Sequence, residues 1–192
     1  MDFESNPIAF EPNPKVYYLK TVVLNQNKTI PMKNLLSLSV LAFIIILFSG
    51  CPYSAEVAID TPSVKIDEKL LGKWEGKSST DYTYTVTKLH DKTYNIDKLS
   101  SSTGDVTNYN AFLSEINGIR FMNVYEPNGE DNTYYFYKVE VTPSGSKTTL
   151  IPVTENIDEK FTTSSELKDF FKKNMTNSYF FAKEEDIYIR VD

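Results

Sequence analysis

The chain is poor in the residues from which most catalytic and metal sites are built. Its 192 residues include one cysteine, one histidine, one tryptophan and seven glycines. A single cysteine, Cys51, excludes an intramolecular disulfide. A single histidine, His90, lies in a turn-like His90-Asp91-Lys92 stretch, where an imidazole is ordinarily solvated. Without a second histidine or another cysteine, the usual zinc ligand sets cannot form. A Ser-His-Asp triad would need His90 as its base, and no Gly-x-Ser-x-Gly turn surrounds any serine. No glycine-rich loop is present to cradle phosphate. Basic residues are outnumbered, 20 Lys and Arg against 26 Asp and Glu, which argues against a nucleic-acid partner. No cofactor, no metal and no recognisable catalytic constellation are expected. Long hydrophobic runs are missing too. Residues 35–48 form a 14-residue apolar stretch interrupted by Ser37 and Ser39, short of the roughly 20 residues a spanning helix needs.

That short run has neighbours that give it a meaning. Met32-Lys33-Asn34 precedes it and Ser49-Gly50 follows, so a positive start, an apolar middle and small residues describe a secretory signal over residues 32–50. Leu47-Phe48-Ser49-Gly50-Cys51 resembles the lipobox of bacterial lipoproteins, with Phe48 where that family has an aliphatic residue. The resemblance implies cleavage before Cys51, a diacylglycerol on its sulfur and acylation of the new amine. Several chains on one residue hold a protein firmly, because each buried methylene contributes about 0.8 kcal/mol. Pro52, rather than an aspartate, follows the cysteine. The expected location is therefore the cell envelope at the outer membrane, with the facing side open. Met32 is a natural first residue for such a signal, so residues 1–31 are expected to be a gene-start artefact or a cleaved extension.

Residues 51–192 carry 16 basic and 23 acidic side chains, a net of −7. Such a surface gains nothing from anionic lipid, which leaves anchoring to the acyl chains. Residues 51–69, with Pro52, Pro62 and many small side chains, read as a flexible tether. The domain proper is expected over residues 70–192. There, β-type runs at 72–77, 82–87, 93–99, 107–116, 119–125, 134–142, 148–153, 179–181 and 187–191 alternate with turn signals, Asn117-Gly118 foremost. Thr163-Ser164-Ser165-Glu166 has capping-box spacing ahead of Leu167, Phe170, Phe171 and Met175 at helical intervals. This predicts a short amphipathic helix packed on the sheet as a plug or lid. The fold class is mainly β: a small antiparallel up-and-down barrel of about eight strands with one short late α-helix. Closing such a sheet removes its edges.

Leu70-Leu71-Gly72-Lys73-Trp74 resembles the Gly-x-Trp opening of lipocalins and of lipocalin-like domains in bacterial lipoproteins. The resemblance implies that Trp74 closes the barrel base and that a late arginine packs across its ring. Arg190 is the candidate, so Gly72, Trp74 and Arg190 form the expected closure. This sequence departs from the family in placing Thr80-Asp81-Tyr82 just after the first strand and in lacking disulfides.

Aromatics are abundant, with 13 Tyr and 12 Phe. Tyrosine combines an apolar face with a polar tip, which suits the wall of a ligand cavity. Tyr82, Tyr84, Phe121, Tyr135 and Tyr137 are the ligand-binding candidates; the competing reading is that these rings fill the core and coat the sheet. Glu126, Glu130 and Asp131 form one acidic turn and Glu184, Glu185 and Asp186 another, each read as solvated before calcium-binding. The expected function is a lipid-anchored, non-enzymatic envelope protein binding a small apolar or amphipathic ligand. One alternative is a protein- or glycan-interaction module using an aromatic sheet face. Another is a carboxylate-dependent hydrolase, since carboxyl separation is a spatial fact. An interior cavity of a few hundred Å³ would favour the first reading.

Overall fold

The computed structural model describes residues 52–129 and 133–192. The upstream segment, the signal, Cys51 and the acidic-turn residues Glu130 and Asp131 lie outside the described residues.

The strands are β1 (Ser54–Ala55), β2 (Gly72–Gly76), β3 (Tyr82–His90), β4 (Thr93–Ser100), β5 (Val106–Ile116), β6 (Ile119–Tyr125), β7 (Tyr134–Val141), β8 (Lys147–Pro152) and β9 (Asp186–Arg190). A 3-10 turn, Glu68–Leu70, precedes β2, and one helix, α1 (Ser164–Asn174), precedes β9. Each strand from β2 to β9 pairs antiparallel with the next, and β9 returns to pair with β2. The result is a closed up-and-down barrel of eight strands with β1 added alongside β7. That is the architecture expected from the strand pattern.

Local chemistry explains the strands. β3 alternates Tyr84 and Val86 on the inside with Thr83 and Thr85 outside, the period of two that a half-buried strand requires. Between β5 and β6, Asn117 and Gly118 both take positive φ, 51° and 80°, the type I′ geometry that matches strand twist. Residues 179–181, expected as a strand, form only an isolated bridge between Val153 and Phe181.

Two separate apolar clusters result. One fills the closed end of the barrel and contains Leu70, Tyr94, Ala111, Leu113, Met122 and Val139. The other lies outside the barrel, where Ile116, Phe121 and Phe136 of β5 to β7 meet Leu167, Phe171 and Met175 of the helical segment. The helix is therefore a buttress on the outer wall and not a plug or lid. Its Thr163 hydroxyl accepts from the Glu166 N–H at 3.3 Å, as the capping pattern requires. The Glu166 carboxylate accepts from the Thr162 hydroxyl instead of completing the box.

Residues 52–69 correct the tether expectation. Tyr53 is buried, its N–H donating to Val153 O at 2.9 Å and its hydroxyl to Glu159 O at 2.9 Å. Ile59 is 0% exposed, and its N–H donates to Asn123 Oδ1 at 3.0 Å. Asp60 accepts from the Ser114 hydroxyl and pairs with Lys168 at 2.8 Å. The outer wall of β5 to β7 is too apolar to leave wet, and residues 53–60 cover what the helix does not, while Val64 and Ile66 pack on the inner cluster at the sealed end.

Candidate functional site: a cavity in the barrel

One end of the barrel is sealed. Leu70, carried on the 3-10 turn, is buried there, and Trp74 Nε1 donates to its carbonyl at 3.0 Å. Trp74 is 3% exposed and lies opposite Arg190 in the β2–β9 register. The Arg190 guanidinium stands 4.6 Å from the indole centroid. It also donates to Gly145 O and Lys69 O, both at 2.8 Å, and pairs with Asp192 at 3.2 Å. Gly72 has a φ of +123°, and a Cβ there would run into the Arg190 guanidinium and the Asp192 carboxylate. Asp67 caps the 3-10 turn, pairs with Arg120 at 2.6 Å and donates its N–H to the Tyr94 hydroxyl at 2.6 Å. Burial pushes the Tyr94 phenol up to about 12. Burial also acts to raise Asp67, but the Arg120 hydrogen bond and charge outweigh it and hold the carboxyl below its ordinary value.

The other half of the barrel is hollow. A cavity of about 390 Å³ is lined by the inward-facing positions of all eight ring strands. Its apolar lining comes from Leu70, Trp74, Val86, Ile96, Met122, Val124 and Leu150. Its tyrosine lining comes from Tyr84, Tyr109, Tyr135, Tyr137 and Tyr188. Three charged residues, Lys98 near the end of β4, Glu126 just past β6 and Asp186 at the start of β9, sit on the open side away from Trp74. Pro52, which precedes β1, lines the same cavity.

Electrostatics divide this lining. Burial raises the phenols of Tyr84, Tyr109, Tyr137 and Tyr188, and nearby carboxylates add to the effect, so all four are neutral hydroxyls at physiological pH. Tyr84 and Tyr188 meet edge to face at 5.2 Å. Burial, and then the neighbouring Glu184, push the Asp186 carboxyl above its ordinary value. Among the described residues Asp186 has no ion-pair partner. The Lys98 ammonium, on the same open side, lies 4.0 Å from the ring centroid of Tyr82 at the rim. Thr148, on the inner wall beside Tyr188, has a buried hydroxyl with no partner among the described residues.

Of the five ring candidates from the sequence, Tyr84, Tyr135 and Tyr137 line the cavity. Tyr82 lies at the rim, on a smaller pocket of about 180 Å³ that shares Tyr84, Asp186 and Tyr188 with the main one. Phe121 corrects the expectation. It faces outward, 0% exposed, with its ring 5.3 Å from Phe171 of α1. The register gives the reason: Phe121 pairs with Lys138, while the inward Tyr137 pairs with Met122. Sequence reading did not select Tyr109, Tyr188 or Lys98 as ligand-binding candidates, and it read Glu126 and Asp186 only as members of acidic turns, where the structure puts both on the cavity. Strand parity was the available signal, since Tyr188 is two residues from Arg190, already placed inward. His90 ends β3 and is exposed.

No protein-family model, curated protein or solved structure matches the chain.

Proposed function

We propose that this protein is a lipid-anchored envelope protein that binds a small amphipathic ligand inside its barrel. The cavity carries the reading: about 390 Å³, apolar over part of its wall, lined by tyrosine over the rest, with charge at the open side. That gradient suits a molecule whose tail enters first and whose head stays near water. The interaction-module reading has less support. Among the described residues only Tyr82 and Tyr179, at 40% and 67%, are largely exposed aromatics, and two rings do not make an aromatic sheet face. Acylation at Cys51 fits the same picture. Pro52, the next residue, borders the cavity, so the anchor would hold the open side close to the membrane.

Trp74 is both the sole tryptophan and part of the lining, so its fluorescence reports on the cavity. Titration with a twelve-carbon alcohol below its solubility limit should change that emission saturably. A strictly linear or absent response would remove the ligand-binding reading. In cells, the parent should take up labelled palmitate and a Cys51→Ala variant should not. Equal labelling of the two would sink the lipoprotein reading and leave the cavity reading standing.

A further inference from the structure

We propose that the polar side of the cavity selects a cationic head group, an amine or quaternary ammonium carried on an apolar tail. The inference deepens the amphiphile-binding reading and rests on it.

Asp186 is the group around which the selectivity is built. It stands at the start of β9, exposed at the rim of the cavity and near enough for its charge to act on the phenols of Tyr84, Tyr137 and Tyr188, with no cation paired to it among the described residues. A cation placed there meets a carboxylate at the edge of a tyrosine-lined wall. The ring quadrupole attracts a cation, more strongly in a partly dry site than in water. An anionic head would meet Asp186, Glu126 and the neighbouring Glu184, and would have to recruit Lys98 away from the Tyr82 ring. A neutral head would leave Asp186, a carboxylate at the exposed rim of the cavity, without a counter-charge. The net charge of −7 over residues 51–192 draws in the same sign of ligand from a distance. The orphaned hydroxyl of Thr148, on the same wall beside Tyr188, is a second polar group that the chain itself does not satisfy.

The test uses the full chain carrying Cys51→Ser, which removes acylation and leaves every described residue in place. Dodecyltrimethylammonium, dodecylamine, dodecanol and dodecanoate are titrated separately, below their micelle concentrations, with Trp74 emission as the readout. Both cations should bind about tenfold more tightly than dodecanol, a difference typical of a partly desolvated cation on aromatic rings. Dodecanoate should bind more weakly than dodecanol. Asp186→Asn should lower the cation-to-alcohol affinity ratio several-fold. Asp91→Asn, an equal loss of charge at an exposed site near the end of β3, should leave that ratio as it is in the parent. Dodecanoate binding as tightly as the cations, or a ratio unmoved by Asp186→Asn, overturns the proposal while sparing the cavity. Saturable binding by none of the four removes both.

Discussion

Trp74 and Arg190 show how a few side chains close a barrel. The indole fills the sealed end, hydrogen-bonds Leu70 O and stacks under the guanidinium, which in turn ties β9 to the 3-10 turn and to the β7–β8 loop. Truncating a buried tryptophan leaves a hole that neighbours fill only in part, at a cost of roughly 3 to 5 kcal/mol. Trp74→Ala should therefore lower the urea midpoint sharply or prevent folding, and His90→Ala, at an exposed strand end, should leave it nearly unchanged. Matching midpoints for the two variants would contradict this account of closure. Asp67 adds a pH dependence. Its folded carboxyl titrates below the ordinary value because of Arg120, so its contribution is present above the unfolded value near 4 and is lost as pH falls through the lower folded value. Asp67→Asn keeps a residue suited to the cap but removes the charge. It should cost about 1 kcal/mol at neutral pH, and less at the acid end, where the parent carboxyl is protonated too. Stability curves of the two proteins that stay parallel down to low pH would exclude the assignment.

At the scale of elements, residues 53–60 and α1 form a single coat over the outer wall of β5 to β7, while residues 64–70 run on to the sealed end of the barrel. Neither piece could hold alone, since an isolated helix of this length is marginal in water. The sequence pattern gave the helix its cap and its apolar stripe, Leu167, Phe171 and Met175, but not the surface it packs on. The preceding segment was harder still. Its proline and small-residue content resembles that of a linker, and Tyr53, Val57 and Ile59 show no helical period to set against it. Its packing comes from an apolar wall far away in sequence. Ile59→Ala is therefore informative. A flexible tether would tolerate it within experimental error, whereas the buried position seen here should cost about 2 to 5 kcal/mol in equilibrium unfolding.

For the molecule as a whole, ligand and stability are linked, because a ligand that binds only the folded barrel shifts unfolding by mass action. At a free concentration about one hundred times its dissociation constant, a bound amphiphile should add about 2.7 kcal/mol, read as a rise in melting temperature that follows the Trp74 titration. A saturable fluorescence change with no such rise would place the ligand on a state other than the native barrel. The sequence by itself determined the strand periodicity, the I′ turn at Asn117-Gly118, the helix cap at Thr163 and the candidacy of Trp74 and Arg190. All of these are set by local sterics, by hydrogen bonds a few residues long, or by a motif at the domain start. Only the tertiary structure decided that Phe121 faces out while Tyr137 faces in, that residues 52–69 are packed, and that Tyr109, Tyr188 and Asp186 share one wall. The physical reason is register. In a strand, one residue of slip exchanges inside for outside, and register is fixed by partners across the barrel that no local window of sequence contains.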